Sequence, residues 1–271
     1  MVSTTQVAAR QRVRGGLYRL YLRLCRTPLS PSFLMFFPLY RRLVSVLNGS
    51  CSGLVLDVGS GMSPFYRVVR GQGARYISLD YPMSSELAPF GLPPPDQNNH
   101  VWGDARQLPF KDGSCHVVIC TSVLEHVTDP AGVLREVFRV LQLGGRVVGS
   151  VPFGHNLHME PFDYYRISEY GLRNLARELG FHVTRLDAVG KGFHAVGACT
   201  ADILFRSTTG LKRSTMSSMG AIEMVSRLVL FLLVWPVILA INLLSPLADA
   251  LLPSVQLPTH YVFVCEKRAA V

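Results

Sequence analysis

Three acidic residues have the spacing needed to hold a nucleotide on an alternating strand–helix chain: Asp57, Asp80 and Asp104. Asp57 closes the apolar run of LVLDVGSGMSPFY at 54–66, where Gly59 and Gly61 let the backbone approach a ligand at a helix N-terminus. A dinucleotide fingerprint would want a third glycine at position 64. Pro64 stands there, which suits a first helical turn and leaves the fingerprint incomplete. Asp80 lies 23 residues after Asp57, at the end of a second apolar run. A carboxylate there can accept both hydroxyls of a ribose. Asp104, in Gly103–Asp104–Ala105, ends a third and can accept from an adenine amino group. Taken singly, the glycines read as a tight turn and Asp80 as a helix cap. Their joint spacing favours a cofactor site.

A second group of residues could act on an acceptor. His126 follows the fourth apolar run, and His155 and His158 fall in GHNLHMEPFDYYR at 154–166. These three imidazoles are the candidate bases, which a hydroxyl acceptor would need. A hydrogen-bonding role at a helix start is the competing reading of His126. Asp163, Tyr164, Tyr165 and Arg166 crowd the same loop and are the candidate acceptor-binding residues, against a purely structural reading as an ion pair and a packed aromatic wall. His155 and His158 with Glu160 or Asp163 have an HxxH chelating spacing. Without the zincin glutamate it is a weak metal signature, and no metal is expected.

The elements that must position these groups alternate. Strands are expected at Leu54–Val58, Tyr76–Leu79, Val101–Trp102, Val117–Cys120, Arg146–Val151, Phe181–Leu186 and Tyr261–Cys265. Helices are expected over Pro130–Leu141 and over Ser168–Leu179, with Ser168 as N-cap. This order implies an α/β fold with a parallel, doubly wound sheet, whose ligands bind at the C-terminal ends of the strands.

Charge and hydropathy are unevenly distributed. The net charge is +9, but residues 1–56 hold eight arginines and no acid, so the body is nearly neutral. No basic patch marks that body, and a nucleic-acid partner is excluded. Residues 10–26 read as a basic amphipathic helix suited to an anionic membrane surface, or as an organelle transit segment. A second short helix is expected over Tyr40–Leu47. Six scattered cysteines without a CxxC pair fit a reducing compartment. Leu228 to Ala248 is uncharged over 21 residues and could span a bilayer by length. The final strand must rejoin the sheet, however, so two shorter helices broken at Pro236 or Pro246 are expected instead. The domain plan is a basic helical arm (1–49), a core (50–205), a hydrophobic helical insertion (206–257), and a last strand with its tail (258–271).

The segments DVGSG (57–61), SLD (78–80), GDARQLPFKDGSCHVVICTSVLEHVTDP (103–130) and LQLGGRVVGSVP (141–152) together resemble the class I S-adenosylmethionine-dependent methyltransferases. The likeness is to the broad group that includes many small-molecule and lipid methyltransferases, and it covers about 50–187 plus the last strand. It implies a Rossmann-like, seven-stranded sheet and S-adenosylmethionine as cofactor. By that resemblance Gly59 and Gly61 border the methionine moiety, and Asp57 orders the loop and reaches toward the amino group. Asp80 takes the ribose, Tyr81 lies against the adenine, Asp104 and Ala105 hold its edge, and Thr121 offers backbone to the amino-acid moiety. The greasy insertion points to an apolar or amphipathic acceptor: quinone-like, lipid or lipid-linked sugar. The expected location is cytoplasmic with membrane contact. The alternatives are a small soluble metabolite or sugar as acceptor, with the insertion as a lid or dimer surface, and a non-catalytic membrane-attached cofactor-binding protein. A dinucleotide oxidoreductase is disfavoured by Pro64.

Overall fold

A computed structural model describes residues 23–61, 63–81, 100–210, 221–252 and 257–269. The basic helix expected over 10–26 lies outside them except for its last four residues, and so does the proline-rich loop at 89–95. In chain order the elements are α1 (Phe33–Leu47), β1 (Leu54–Val58), α2 (Tyr66–Arg70), β2 (Arg75–Asp80), β3 (His100–Trp102) and β4 (Cys115–Thr121). There follow a 3-10 turn (Leu124–His126), α3 (Pro130–Val140), β5 (Leu141–Pro152), α4 (Glu169–Glu178) and β6 (Phe181–Val189). The chain ends with α5 (Phe193–Thr209), α6 (Ala221–Leu251) and β7 (His260–Lys267).

Among the described residues seven strands form one sheet in the order β3-β2-β1-β4-β5-β7-β6. Strands β1 to β5 pair in parallel, and β7 runs antiparallel between β5 and β6. The apolar runs of β1 and β4 are continuous because both faces are covered. Side chains alternate. Val55, Val117, Ile119, Val148, Val262 and Val264 pack beneath α1 and α2. Leu56, Val58, Val118, Cys120, Val147 and Phe263 pack beneath α3 and α4. Both covering helices start on a cap: Asp129 accepts from the Gly132 amide and Ser168 from that of Gly171.

Two helices depart from the expectation. The short helix expected at Tyr40–Leu47 begins at Phe33 and runs through Pro38. A proline inside a helix costs about 3 kcal/mol and strands the carbonyl four residues earlier. Here that carbonyl is Leu34 O, and His194 Nε2 on α5 lies 2.9 Å from it. Burial of Leu34, Met35, Leu39, Leu43 and Leu47 offsets the remaining cost. Within the insertion α6 is continuous through Pro236 and Pro246, where two shorter helices broken at one of these prolines were expected. Tertiary anchors hold it: Asn242 Nδ2 donates to Pro28 O and Ser30 O, both at 2.8 Å, and Trp235 donates to Leu29 O. Its partner α5 has no strong apolar stripe. It buries small residues, Ala195, Ala198 and Ala201, and its Gly197 faces Ser245 so closely that a Cβ would stand 2.1 Å from the hydroxyl.

Replacing His194 leaves the buried Leu34 carbonyl without its donor. His194→Ala is expected to destabilise the fold by about 1–3 kcal/mol in urea denaturation. Pro38→Ala, which restores the helical amide, should recover part of that loss only in the His194→Ala background. Purely additive effects would refute the link.

Candidate functional site

The parallel strands β1 to β5 bring their C-terminal ends to one edge of the sheet, where the strand order reverses between β1 and β4, the place at which ligand crevices form in such folds. Leaving β1, the chain folds back so that the Gly59 and Ser60 amides both donate to Leu79 O. Gly59 has φ +65°, and a Cβ there would lie 2.3 Å from Val123 Cγ2. Gly61 has φ +50° with open space where a Cβ would stand, so bare backbone faces the crevice. Asp80 Oδ2 accepts from the Gly61 amide at 2.8 Å, and Oδ1 from the Tyr81 amide at 2.9 Å. Each oxygen keeps a second lone pair for a ligand hydroxyl. The Asp80 carboxyl is pushed up by burial, partly countered by those two amides.

The other expected cofactor residues surround this loop. Asp57 is buried and accepts from the Tyr76 hydroxyl, so one oxygen is already engaged. Burial pushes its pKa up to about 7, against the pull of that hydrogen bond. Tyr81 is half-exposed at the rim. Ala105 packs on the core edge, while Asp104 is gripped by Arg106 through both oxygens and lies below its ordinary pKa for that reason. Thr121 ends β4 opposite Ser150. The buried hydroxyls of Ser60 and Ser150 have no hydrogen-bond partner among the described residues. Bare glycine backbone, unsatisfied buried hydroxyls and the free lone pairs of Asp80 together suit a polar, hydroxyl-bearing cofactor.

Across the crevice the three candidate bases do come together. The rings of His126 and His158 lie 4.7 Å apart between centroids, and those of His158 and His155 lie 4.5 Å apart. The stack continues to His260, at the start of β7, 5.6 Å from His155. Burial lowers the pKa of all four, to about 4 for His158, where His155 and His126 add repulsion. They are therefore neutral near pH 7.

The candidate acceptor-binding residues divide. Asp163 and Arg166 form a two-pronged ion pair at 2.6 and 2.8 Å. Burial opposes the Asp163 charge, but Arg166 and the His158 amide outweigh it and hold the carboxyl far below its ordinary range. This pair fixes the loop from within, since Arg166 also donates to His155 O and Asn156 O. Tyr164 and Tyr165 are half-exposed. The Tyr164 amide donates to Glu125 O and the Tyr165 hydroxyl to Thr128 O.

The chelating combination of His155 and His158 with Glu160 is not assembled, because Glu160 is exposed. A different trio converges instead: Glu125, His126 and His158, whose ligand atoms all lie within 4.8 Å of one another. Glu125 is fully buried, and burial pushes its pKa up to about 8. Sequence reading passed over Glu125 and His260. Glu125 sits among apolar neighbours in VLEHV, and its approach to His158 depends on a loop more than thirty residues away. Ser122, with φ +52°, was also missed; a non-glycine residue strained at the end of a central strand has no signature in composition.

Comparison with known proteins fits this geometry. The family described as "Methyltransferase domain" matches residues 56–149. A protein of Mycolicibacterium smegmatis named "Probable S-adenosylmethionine-dependent methyltransferase" is 30% identical over 159 residues, 56% of this chain and 60% of that one. The "Sterol 24-C-methyltransferase" of Yarrowia lipolytica is 37% identical over 100 residues, 34% of this chain and 25% of that one. The chain thus spans less than two thirds of the length of either relative. A solved structure of an S-adenosylmethionine-dependent methyltransferase from Archaeoglobus fulgidus matches with a TM-score of 0.53 at 17% identity, over 92% of this chain and 99% of that one. At that identity the likeness is one of fold.

The raised pKa of Asp57 has a consequence for stability. Its folded value lies above the ordinary 3.8, so its contribution is fully present below about pH 4 and is lost as pH rises through about 7. Asp57→Asn, which can still accept from Tyr76, should therefore flatten the fall in Tm between about pH 5 and 8 relative to wild type. Parallel profiles for the two proteins would refute the assignment.

Proposed function

We propose that this chain, whose core is a class I S-adenosylmethionine-dependent methyltransferase domain, methylates an apolar or amphipathic acceptor reached at a membrane surface. When bound, the cofactor would supply a sulfonium-activated methyl group for in-line transfer to an acceptor nucleophile, its sulfur leaving as the neutral thioether. The chain's own contribution is placement and exclusion of water. Asp80 takes the ribose hydroxyls on its free lone pairs, and the bare backbone at Gly59 and Gly61 lies along the methionine moiety. Tyr81, Asp104 and Ala105 border the adenine, and Thr121 offers backbone to the amino-acid end. On the acceptor side the neutral imidazoles of His126, His155 and His158 can take a proton from a hydroxyl acceptor. The loop carrying Tyr164 and Tyr165 forms a wall.

The observation that carries the acceptor class is α6. Ile238, Asn242, Ser245 and Asp249 face the body of the protein. Val229, Leu233, Val237, Leu244, Leu247 and Leu251 follow one another at helical spacing on the exposed side. Only 11% of its most apolar stretch is buried, at a mean hydropathy of 2.6. An apolar face of that length points to a membrane or a partner surface. The helix lies against the body along its length: Arg227 sits at Gly210, Phe231 meets Phe205, and Asp249 accepts from the Phe193 and His194 amides. That arrangement supports lying in one leaflet over crossing both. The name of the sterol-methylating relative agrees with a lipid-like acceptor.

Two measurements test the reading. Titration with S-adenosylhomocysteine should show binding that Asp80→Ala weakens at least about tenfold, as expected for loss of a charged hydrogen-bonding group. Co-sedimentation with phospholipid vesicles should be reduced more than about tenfold by Leu233→Glu with Leu244→Glu, since burying each leucine contributes roughly 1.5–3 kcal/mol. A wild-type protein that ignores vesicles would sink the membrane-borne acceptor and leave the cofactor site standing.

A further inference from the structure

We propose that Glu125, His126 and His158 form a binding site for a first-row divalent metal ion at the acceptor side of the crevice. The ligand atoms are already gathered. His126 Nε2 lies 3.7 Å from Glu125 Oε1, and His158 Nε2 lies 3.9 Å from the same oxygen. Bonds of about 2.0–2.2 Å to one ion would set neighbouring donors roughly 3.0–3.5 Å apart. The two imidazole–carboxylate distances are within a few tenths of an ångström of that range and all three donors lie within 4.8 Å of one another, so closing on an ion takes shifts of up to about an ångström from rings that are partly exposed.

The far side of the His126 ring is arranged as metal ligation requires, and His158 Nδ1 lies near a carboxylate without a hydrogen bond of ordinary geometry. A ligating imidazole commonly gives its other nitrogen to a carbonyl or carboxylate, which fixes the tautomer and the ring plane. His126 Nδ1 lies 2.6 Å from Phe162 O, a pure acceptor, so Nδ1 carries the proton and Nε2 presents its lone pair to Glu125. His158 Nδ1 faces Asp163 Oδ2 at 3.2 Å, which leaves its Nε2 likewise directed at Glu125. Arg166 stands nearby, but Asp163 already neutralises it.

Glu125 is what a cation would explain. Its carboxylate is fully buried, and neither oxygen makes a hydrogen bond of ordinary geometry among the described residues; Ser122 and its own amide act on it without reaching that geometry. A buried carboxyl without a hydrogen bond of ordinary geometry is costly, and a cation would give its oxygens a partner. Two imidazoles with one carboxylate suit zinc or a similar borderline ion. With the ion bound, His126 and His158 serve as ligands and His155 is left as the candidate base, while three protein ligands leave a coordination position open to water or to an oxygen of the acceptor. The site does not depend on the acceptor being apolar.

The test uses the full chain, stripped with chelator, without cofactor or acceptor. Zn2+ is titrated calorimetrically and Co2+ by visible absorption. A single equivalent should bind, with ligand-field bands from Co2+. Glu125→Gln and His158→Gln should each weaken binding at least about tenfold, the low end of what even an outer-sphere loss costs. His182→Gln, an exposed histidine, should bind as wild type. Zn2+ should raise the Tm of wild type more than that of Glu125→Gln. If Glu125→Gln does not fold, the partly exposed His158 position still decides. Folded wild type that takes up no stoichiometric ion, or variants that bind as tightly as wild type, would overturn the proposal. Its failure would be separable from that of the methyltransferase reading, which S-adenosylhomocysteine titration measures.

Discussion

The chain leaves the sheet at the end of β6 and must return beside the same strand to form β7. Everything between is held at a narrow neck. The Thr259 amide donates to both Val189 O and Gly190 O, its hydroxyl donates to Val189 O, and the Gly192 amide donates to Leu257 O. The α5–α6 pair is thus an excursion that begins and ends at one point. The hydropathy of α6 would by itself pass for a transmembrane segment; the neck fixes only the end of α6 that leads into β7, and contacts with α5, from Phe231 on Phe205 to Asp249 at the Phe193 and His194 amides, hold the helix along its neighbour.

The same neck joins the greasy hairpin to the chemistry. His260 follows Thr259 directly and ends the row of imidazoles that runs through His155 and His158 to His126. From the other side, Asn156 in the acceptor loop donates to Asp202 and to Cys199 O on α5, and Arg206 donates to Leu157 O. Displacement of α5 or α6 against a surface would therefore be felt by the loop that carries His155, His158 and the Asp163–Arg166 pair. Hydrogen bonds tie α5 to this loop and ring contacts carry the row of imidazoles to His260, so the hairpin and the candidate acceptor residues share one set of contacts.

How much of this was legible in the sequence follows from how local each signal is. Asp57, Gly59, Gly61 and Asp80 belong to short strand–turn units, where residue type dictates backbone geometry within a few positions. The strands and capped helices of the core were legible for the same reason: Asp129 and Ser168 cap helices three residues ahead of their partner amides. Prolines misled. Pro38, Pro236 and Pro246 are local stop signals, and the bonds that override them come from far along the chain, from His194 to Leu34 and from Asn242 to Pro28 and Ser30. α5 escaped notice because its contact surface is made of alanine and glycine, which pack closely while carrying little hydropathy.

The acceptor side was legible as a collection of residue types, while its arrangement was not. In the sequence Asp163 and Arg166 look like substrate ligands, but folded they spend their charges on each other and on loop carbonyls. Glu125, hidden in an apolar stretch, is a fully buried carboxyl without a hydrogen bond of ordinary geometry among the described residues. A core that needed only to pack would gain by an apolar side chain there, because a lone buried carboxylate costs several kcal/mol or gives up its ionisation. Its position one residue before His126, opposite His158 and just beyond the strained Ser122, places that cost at the mouth of the crevice. Buried groups with such uncompensated cost cluster where a ligand completes them. By that argument the group around Glu125 is the part of the proposed site that gains most from a ligand, whereas the proposed cofactor loop is shaped by the backbone that β1 and β2 hold in place.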